Sequence, residues 1–183
     1  MPGARAVAGW RQRPGCGYAR RVSGDPRFLC DEMLGRLARY LRAAGYDTTL
    51  AAGGAPDRDL LAAAQREHRT FLTCDRQVAQ HKVAEGLALI LPRGTIDELA
   101  RALSARAPLD WLHRPFTRCL VDNVPLRAGS GDGGRPLPPD VAAADVRSCP
   151  ECGRVYWAGS HHRRMRSRLA AWSEGRFGPT RHD

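Results

Sequence analysis

Apolar residues fall in short runs, separated by stretches where they recur three and four apart. Phe28, Leu29 and Cys30 form a run suited to a buried strand, and Asp31 and Glu32 follow as acids fitted to the start of a helix. Met33, Leu34, Leu37, Leu41 and Ala44 repeat at helical spacing, with Arg36, Arg39 and Arg42 on the other side. Gly45 sits where a glycine ends a helix. The pattern predicts a second strand over 46–51, a loop from Gly53 to Pro56, and a helix over 58–67 capped by Asp57. A third strand is predicted at 71–73, a helix at 76–84 and a fourth strand at 87–91. Thr95 and Glu98 then stand as a capping box ahead of Leu99, Ala102 and Leu103. Short strands alternating with helices of about ten residues predict a three-layer α/β domain on a parallel sheet.

The pattern changes after residue 107. Residues 108–118 mix Pro, Trp and Arg and read as a connector. Gly and Pro crowd 127–139, which predicts a loop inserted between two halves of a small module. A closing helix is predicted at 163–171. The expected organisation is a disordered basic arm over 1–26, the α/β domain over 27–107, the small module over 108–172 and a disordered tail over 173–183.

Charge adds a partner to this picture. The 183 residues carry a net charge of +10, and such a balance points to a polyanion. Only Lys82 among the 29 basic residues is a lysine, so the arginine excess also fits a codon bias. Residues 28–107 hold eleven bases and ten acids, whereas the flanks hold most of the basic excess. No window approaches the roughly 18 apolar residues of a membrane span, and the N-terminus lacks the apolar core of a secretory signal. The chain is therefore expected in the cytoplasm, where six cysteines with a Cys-x-x-Cys spacing suggest metal rather than disulfides.

The acids of the middle segment suggest what the metal does. Asp31 and Asp75 follow strands, and Asp57 follows one by a short loop, so a parallel sheet would bring all three to its carboxyl rim. Carboxylates suit Mg²⁺ or Mn²⁺, and a bound ion activates water and offsets charge on a phosphate. Singly, each aspartate reads more readily as a helix cap; three at one edge favour a site. Cys30 and Cys74 read as small buried hydrophobes rather than nucleophiles.

Cys119-x-x-Asp122 and, 26 residues on, Cys149-x-x-Cys152 form a broken zinc-ribbon pattern. Aspartate ligates zinc, so a Cys₃Asp site is one reading. His161 or His162 as fourth ligand is a second, and a decayed ribbon without metal is a third. The cluster of His161, His162, Arg163, Arg164, Arg166 and Arg168, with Tyr156 and Trp157 nearby, suits phosphates and stacked bases, and equally a solvated helix face.

Residues 27–47, the run Leu72-Thr73-Cys74-Asp75-Arg76 and residues 149–161 resemble the Mut-seven C-terminal ribonuclease family, over about residues 27–172. The resemblance implies a PIN-like nuclease domain joined to a zinc ribbon, and a metal-dependent ribonuclease in which water attacks the phosphodiester. Carried over, Asp31 and Asp75 match the family's acids after the first and third strands, and the second-helix acid falls on Asp57 or Asp59, with Asp57 preferred. The family would place cysteine at 122, and the fourth acid common in PIN-like enzymes is missing at Arg76 and Gln77. The expected site is thus Asp31, Asp57 and Asp75 with Mg²⁺ or Mn²⁺, beside structural zinc on Cys119, Asp122, Cys149 and Cys152, with RNA as partner. The alternative is a non-catalytic RNA-binding protein that retains the PIN-like fold and a degenerate ribbon.

Overall fold

The computed structural model describes residues 24–129, 141–142 and 145–178. Most of the expected N-terminal arm, most of the Gly- and Pro-rich loop and the last five residues of the expected tail lie outside the described residues.

Four strands, β1 (Phe28–Cys30), β2 (Thr48–Leu50), β3 (Thr70–Thr73) and β4 (Ala88–Ile90), pair in parallel in the order β2-β1-β3-β4. Alternate side chains of a strand face opposite sides, so the two central strands feed two cores. Phe28, Cys30 and Leu72 pack under α1 (Gly35–Ala43), α3 (Ile96–Ser104) and α4 (Ser160–Ser173). Leu29 and Phe71 pack on the other side with Leu60, Leu61 and Ala64 of α2 (Asp57–Arg66). The α/β architecture with a parallel sheet, expected from the pattern, holds.

Local signals act where they were read. Gly45 has φ 101°, and a Cβ there would collide with the carbonyl of Arg114. The amide of Tyr46 donates to Leu41 O at 3.0 Å and that of Gly45 to Arg42 O at 3.0 Å, the paired bonds that close a helix. Thr95 and Glu98 form the reciprocal capping box at the start of α3.

Other elements differ from the pattern. A 3₁₀ turn (Glu32–Leu34) precedes α1 and leaves Met33 exposed rather than on the apolar face. Asp57 is the first residue of α2 and not its cap; Pro56 holds the cap position, and its carbonyl accepts from the amides of Asp59 and Leu60. Asp57 and Asp59 then face the positive pole of the helix. The helix expected at 76–84 is two 3₁₀ turns, Arg76–Gln80 and Lys82–Ala84, with His81 extended between them. Only Val78 and Ala84 are buried there; six apart, they do not share a helix face.

The connector and the tail are more ordered than their composition suggests. Trp111 is fully buried, donates to Ser104 Oγ and sits 4.8 Å from the ring of Trp172. The closing helix runs longer than expected because Trp172 anchors its end, packing on Tyr40 and donating to Asp97 Oδ1. Beyond it, Arg101 holds the carbonyl of Gly178 and lies over the ring of Phe177. A separate antiparallel sheet, β5 (Arg127–Ala128), β6 (Arg147–Ser148) and β7 (Val155–Tyr156), covers a small core of Cys119, Leu126 and Cys149.

Two side-chain clamps tie this small sheet to the large one. Buried Arg42 donates to Thr48 O, Leu120 O and Val121 O. Asn123 accepts from the Thr48 amide at 2.9 Å and donates to Asp47 Oδ1 at 2.7 Å. Burial of Asp47 opposes its ionisation, but hydrogen bonds from Arg69, Asn123 and Arg27 outweigh that and hold the carboxyl well below the usual range. A depressed folded-state pKa stabilises fully above the unfolded value of about 3.9 and loses that stabilisation as pH falls toward the folded value. Urea unfolding between pH 7 and pH 3 should therefore show acid destabilisation. Asp47→Asn should flatten that slope and cost about 2 kcal/mol at pH 7.

Candidate active site and metal centre

The chain leaves β1 for β2 on one side and returns to β3 on the other, so the strand order reverses between β1 and β3. Ligands of parallel α/β sheets bind at the carboxyl ends beside such a reversal. Asp31 and Asp75 leave the sheet there. The carboxylate of Asp31 accepts from the Glu32 amide at 2.7 Å and from Thr73 Oγ1 at 2.7 Å. The same Thr73 Oγ1 accepts from the amide of Asp75 at 2.9 Å, while Asp75 Oδ1 accepts from the amide of Gln77. One fully buried hydroxyl thus ties the Asp31 carboxylate to the main chain at Asp75. Its only sequence signal is a hydroxyl residue ending a strand two positions before an aspartate.

Asp57 is half-buried at the start of α2, and among the described residues no hydrogen bond joins it to Asp31 or Asp75. Asp59 is exposed and lies 3.4 Å from its neighbour Arg58. Glu32, read from sequence only as a helix-opening acid, reaches across to the β2–α2 loop. A Cβ on Gly53 would come within 2.7 Å of Glu32 Oε2, the movable end of a side chain, which shows how closely the loop passes the carboxylate. The three aspartates do not form a trio of ligand atoms within 4.8 Å; among the described residues the group at that spacing lies in the turns beside the small sheet. Burial pushes the Cys30 thiol up to about 12 and raises that of Cys74, which leaves both protonated and poor nucleophiles at neutral pH.

The second group is Cys119, Asp122, Cys149 and Cys152, whose ligand atoms lie within 4.8 Å of one another. Two turns with the same hydrogen bonds carry it. Cys119 donates to Val124 O, and Asn123, at φ 68°, donates back to Cys119 O. Likewise Cys149 donates to Arg154 O, and Gly153, at φ 67°, donates back to Cys149 O. Asp122 therefore occupies in the first turn the place Cys152 occupies in the second. Amides of Val121 and Asp122 point at Cys119 Sγ, and that of Cys152 at Cys149 Sγ.

Tetrahedral zinc separates two thiolate sulfurs by about 3.8 Å and a sulfur from a carboxylate oxygen by about 3.6 Å. Cys119 Sγ lies 3.9 Å from Cys152 Sγ, and Asp122 Oδ2 lies 3.3 and 3.2 Å from the sulfurs of Cys119 and Cys149. The donor set fits a closed Cys₃Asp centre able to hold a metal such as zinc. Hydrogen bonds from Cys152, Cys149 and Cys119 hold the Asp122 carboxyl below its usual range, and burial pushes the Cys149 thiol up to about 12. The hydroxyl of Tyr156 braces Cys119 Sγ at 3.1 Å. Neither histidine joins the group: α4 carries both, and His162 packs its ring on Phe116 instead.

Residues 26–169 match the family model described as the Mut7-C RNAse domain. The chain belongs to the Mut7-C RNAse domain family. No curated protein and no solved structure matches it. The Mut7-C match spans the large sheet, the small sheet and most of α4, so the acidic rim and the metal centre belong to one family unit. Its description is that of a ribonuclease. No helix among the described residues is long and apolar enough to cross a membrane.

Proposed function

We propose that this Mut7-C domain hydrolyses RNA phosphodiester bonds with Mg²⁺ or Mn²⁺ held by Asp31, Asp57 and Asp75. The observation that carries the reading is the Thr73 hydroxyl linking the Asp31 carboxylate to the backbone amide of Asp75 at the sheet reversal. The ion, when bound, supplies an activated water and offsets charge on the phosphate. Thr73 fixes the direction of the Asp31 carboxylate, and the Gln77 amide fixes that of Asp75. Asp57 is preferred to Asp59 because it is half-buried on the rim, whereas Asp59 is exposed beside Arg58. Mg²⁺ keeps several waters and needs one or two direct carboxylates, so acids spaced along a rim suit it. Cys119, Asp122, Cys149 and Cys152 hold structural zinc that keeps the small sheet folded.

The purified protein is incubated with end-labelled single-stranded RNA, with and without Mn²⁺. Cleavage that requires the added ion is the expected result. Salt-sensitive binding without cleavage under Mg²⁺ or Mn²⁺ would support a binding protein that keeps the fold, a reading favoured by the three aspartates not closing to within 4.8 Å of one another.

A further inference from the structure

We propose that the groove between α1 and α4 is a phosphate track that leads an RNA strand to the rim at Asp31. This inference rests on the ribonuclease reading for its substrate. The groove is about 730 Å³ and is lined by Arg36, Tyr40, His161, Arg163, Arg164 and Arg168, with no acid among its walls. Together α1 and α4 contain seven arginines and no Asp or Glu. Arg42 turns inward to the backbone carbonyls; the rest line the outer faces.

Pairing with acids is sparse on these two helices, although Arg76, Arg93, Arg127 and Arg147 elsewhere also lack a carboxylate within 4.0 Å among the described residues. Arg27, Arg69, Arg114 and Arg176 each contact a carboxylate. Among the described residues no carboxylate lies within 4.0 Å of Arg36, Arg39, Arg164 or Arg166, and Arg168 reaches Asp97 only at 3.8 Å. Uncompensated cations on two adjacent helices repel one another, and an anionic ligand relieves that repulsion.

The start of α4 gives an independent indication. Its cap, Gly159, offers no side-chain bond, and its first turn carries His161, His162 and Arg163 with no acid. Cations at the positive pole of a helix are unfavourable, whereas the same pole attracts phosphate. A sequence that breaks a local rule in this way commonly does so at a functional surface. Arg36 lies in the first turn of α1, the helix that follows the 3₁₀ turn after Asp31, so it is the groove arginine nearest the acidic rim along the chain. An acidic membrane also needs exposed apolar residues beside the cations; α4 exposes no large one, whereas Met33 and Leu50 are exposed near the start of α1, so binding to acidic vesicles decides between the two. Side chains of this kind contact the backbone and carry no sequence preference.

The test measures binding of a fluorescein-labelled single-stranded RNA 20-mer across a salt series, in an Asp31→Asn background without added divalent ion. Arg36→Gln/Arg164→Gln removes two groove charges, and Arg58→Gln/Arg66→Gln removes the same charge from exposed positions on α2. The groove pair should weaken binding about tenfold and reduce the slope of log K against log salt by about 1.4, with the α2 pair near the parent. Equal losses in both pairs, no loss in the groove pair, or retention on acidic phospholipid vesicles with no RNA binding would each overturn the proposal. Cleavage is scored separately in the protein with Asp31 intact. Groove-dependent binding without cleavage under Mn²⁺ would therefore keep the track and sink the active-site reading.

Discussion

Asp31→Asn/Asp75→Asn is expected to reduce RNA cleavage in Mn²⁺ by about a thousandfold or more while leaving the fold intact. Loss of several kcal/mol of charge stabilisation at the phosphate corresponds to that factor. The local structure tolerates the exchange. Asparagine keeps an oxygen for the amide that each aspartate now caps, Glu32 for Asp31 and Gln77 for Asp75. The Thr73 hydroxyl can turn to accept from the new amide. Single-turnover rates report the chemistry, and the thermal midpoint reports the fold. Cleavage that survives in the double variant would place the active site elsewhere.

Cys149→Ser is expected to lose stoichiometric zinc after dialysis and to destabilise the whole protein. Structural zinc contributes on the order of 10 kcal/mol in small zinc modules, so this is the largest stability effect foreseen. Cys149 is buried, and its sulfur lies 3.2 Å from Asp122 Oδ2, so the weaker serine ligand cannot be replaced from solvent. The damage should not stay local. Arg42 holds the carbonyls of Leu120 and Val121 in the first turn, and Asn123 holds β2. A single thermal transition shifted downward is expected, rather than a separate early transition of the small sheet. Asp122→Cys is the companion variant: it should hold the metal at least as tightly, and Co²⁺ substituted into it should show stronger sulfur charge-transfer absorption. Full metal retention by Cys149→Ser would refute the assigned ligand set.

What could be read from the chain follows the range of each interaction. The Thr95 and Glu98 capping box and the Gly45 helix end are closed by residues a few positions apart, and both formed as read. The expected cap at Asp57 failed because Pro56 already set the backbone for the first turn of α2. Residues 76–84 carried enough apolar character for a helix, but only the packed fold shows that Val78 and Ala84 alone find the core. Thr73 had no legible role, since its partner Asp31 lies 42 positions away across the β1–β3 pairing. The four ligands of the metal centre were legible as residue types at a spacing. That Asp122 stands where a cysteine is expected was legible too, and the matching backbone bonds of the two turns bear it out.

Those two turns have the same shape, yet they will tolerate evolutionary drift unequally. Gly153 supplies a left-handed backbone at φ 67° and carries no side-chain tether, and asparagine or aspartate also adopts that backbone at modest cost. Asn123 must supply that backbone and, at once, an acceptor for Thr48 and a donor for Asp47. Glycine there would keep the turn and lose the tether, and aspartate would set a second negative charge against Asp47. Position 123 therefore admits essentially one amino acid, while its counterpart at 153 is free to wander.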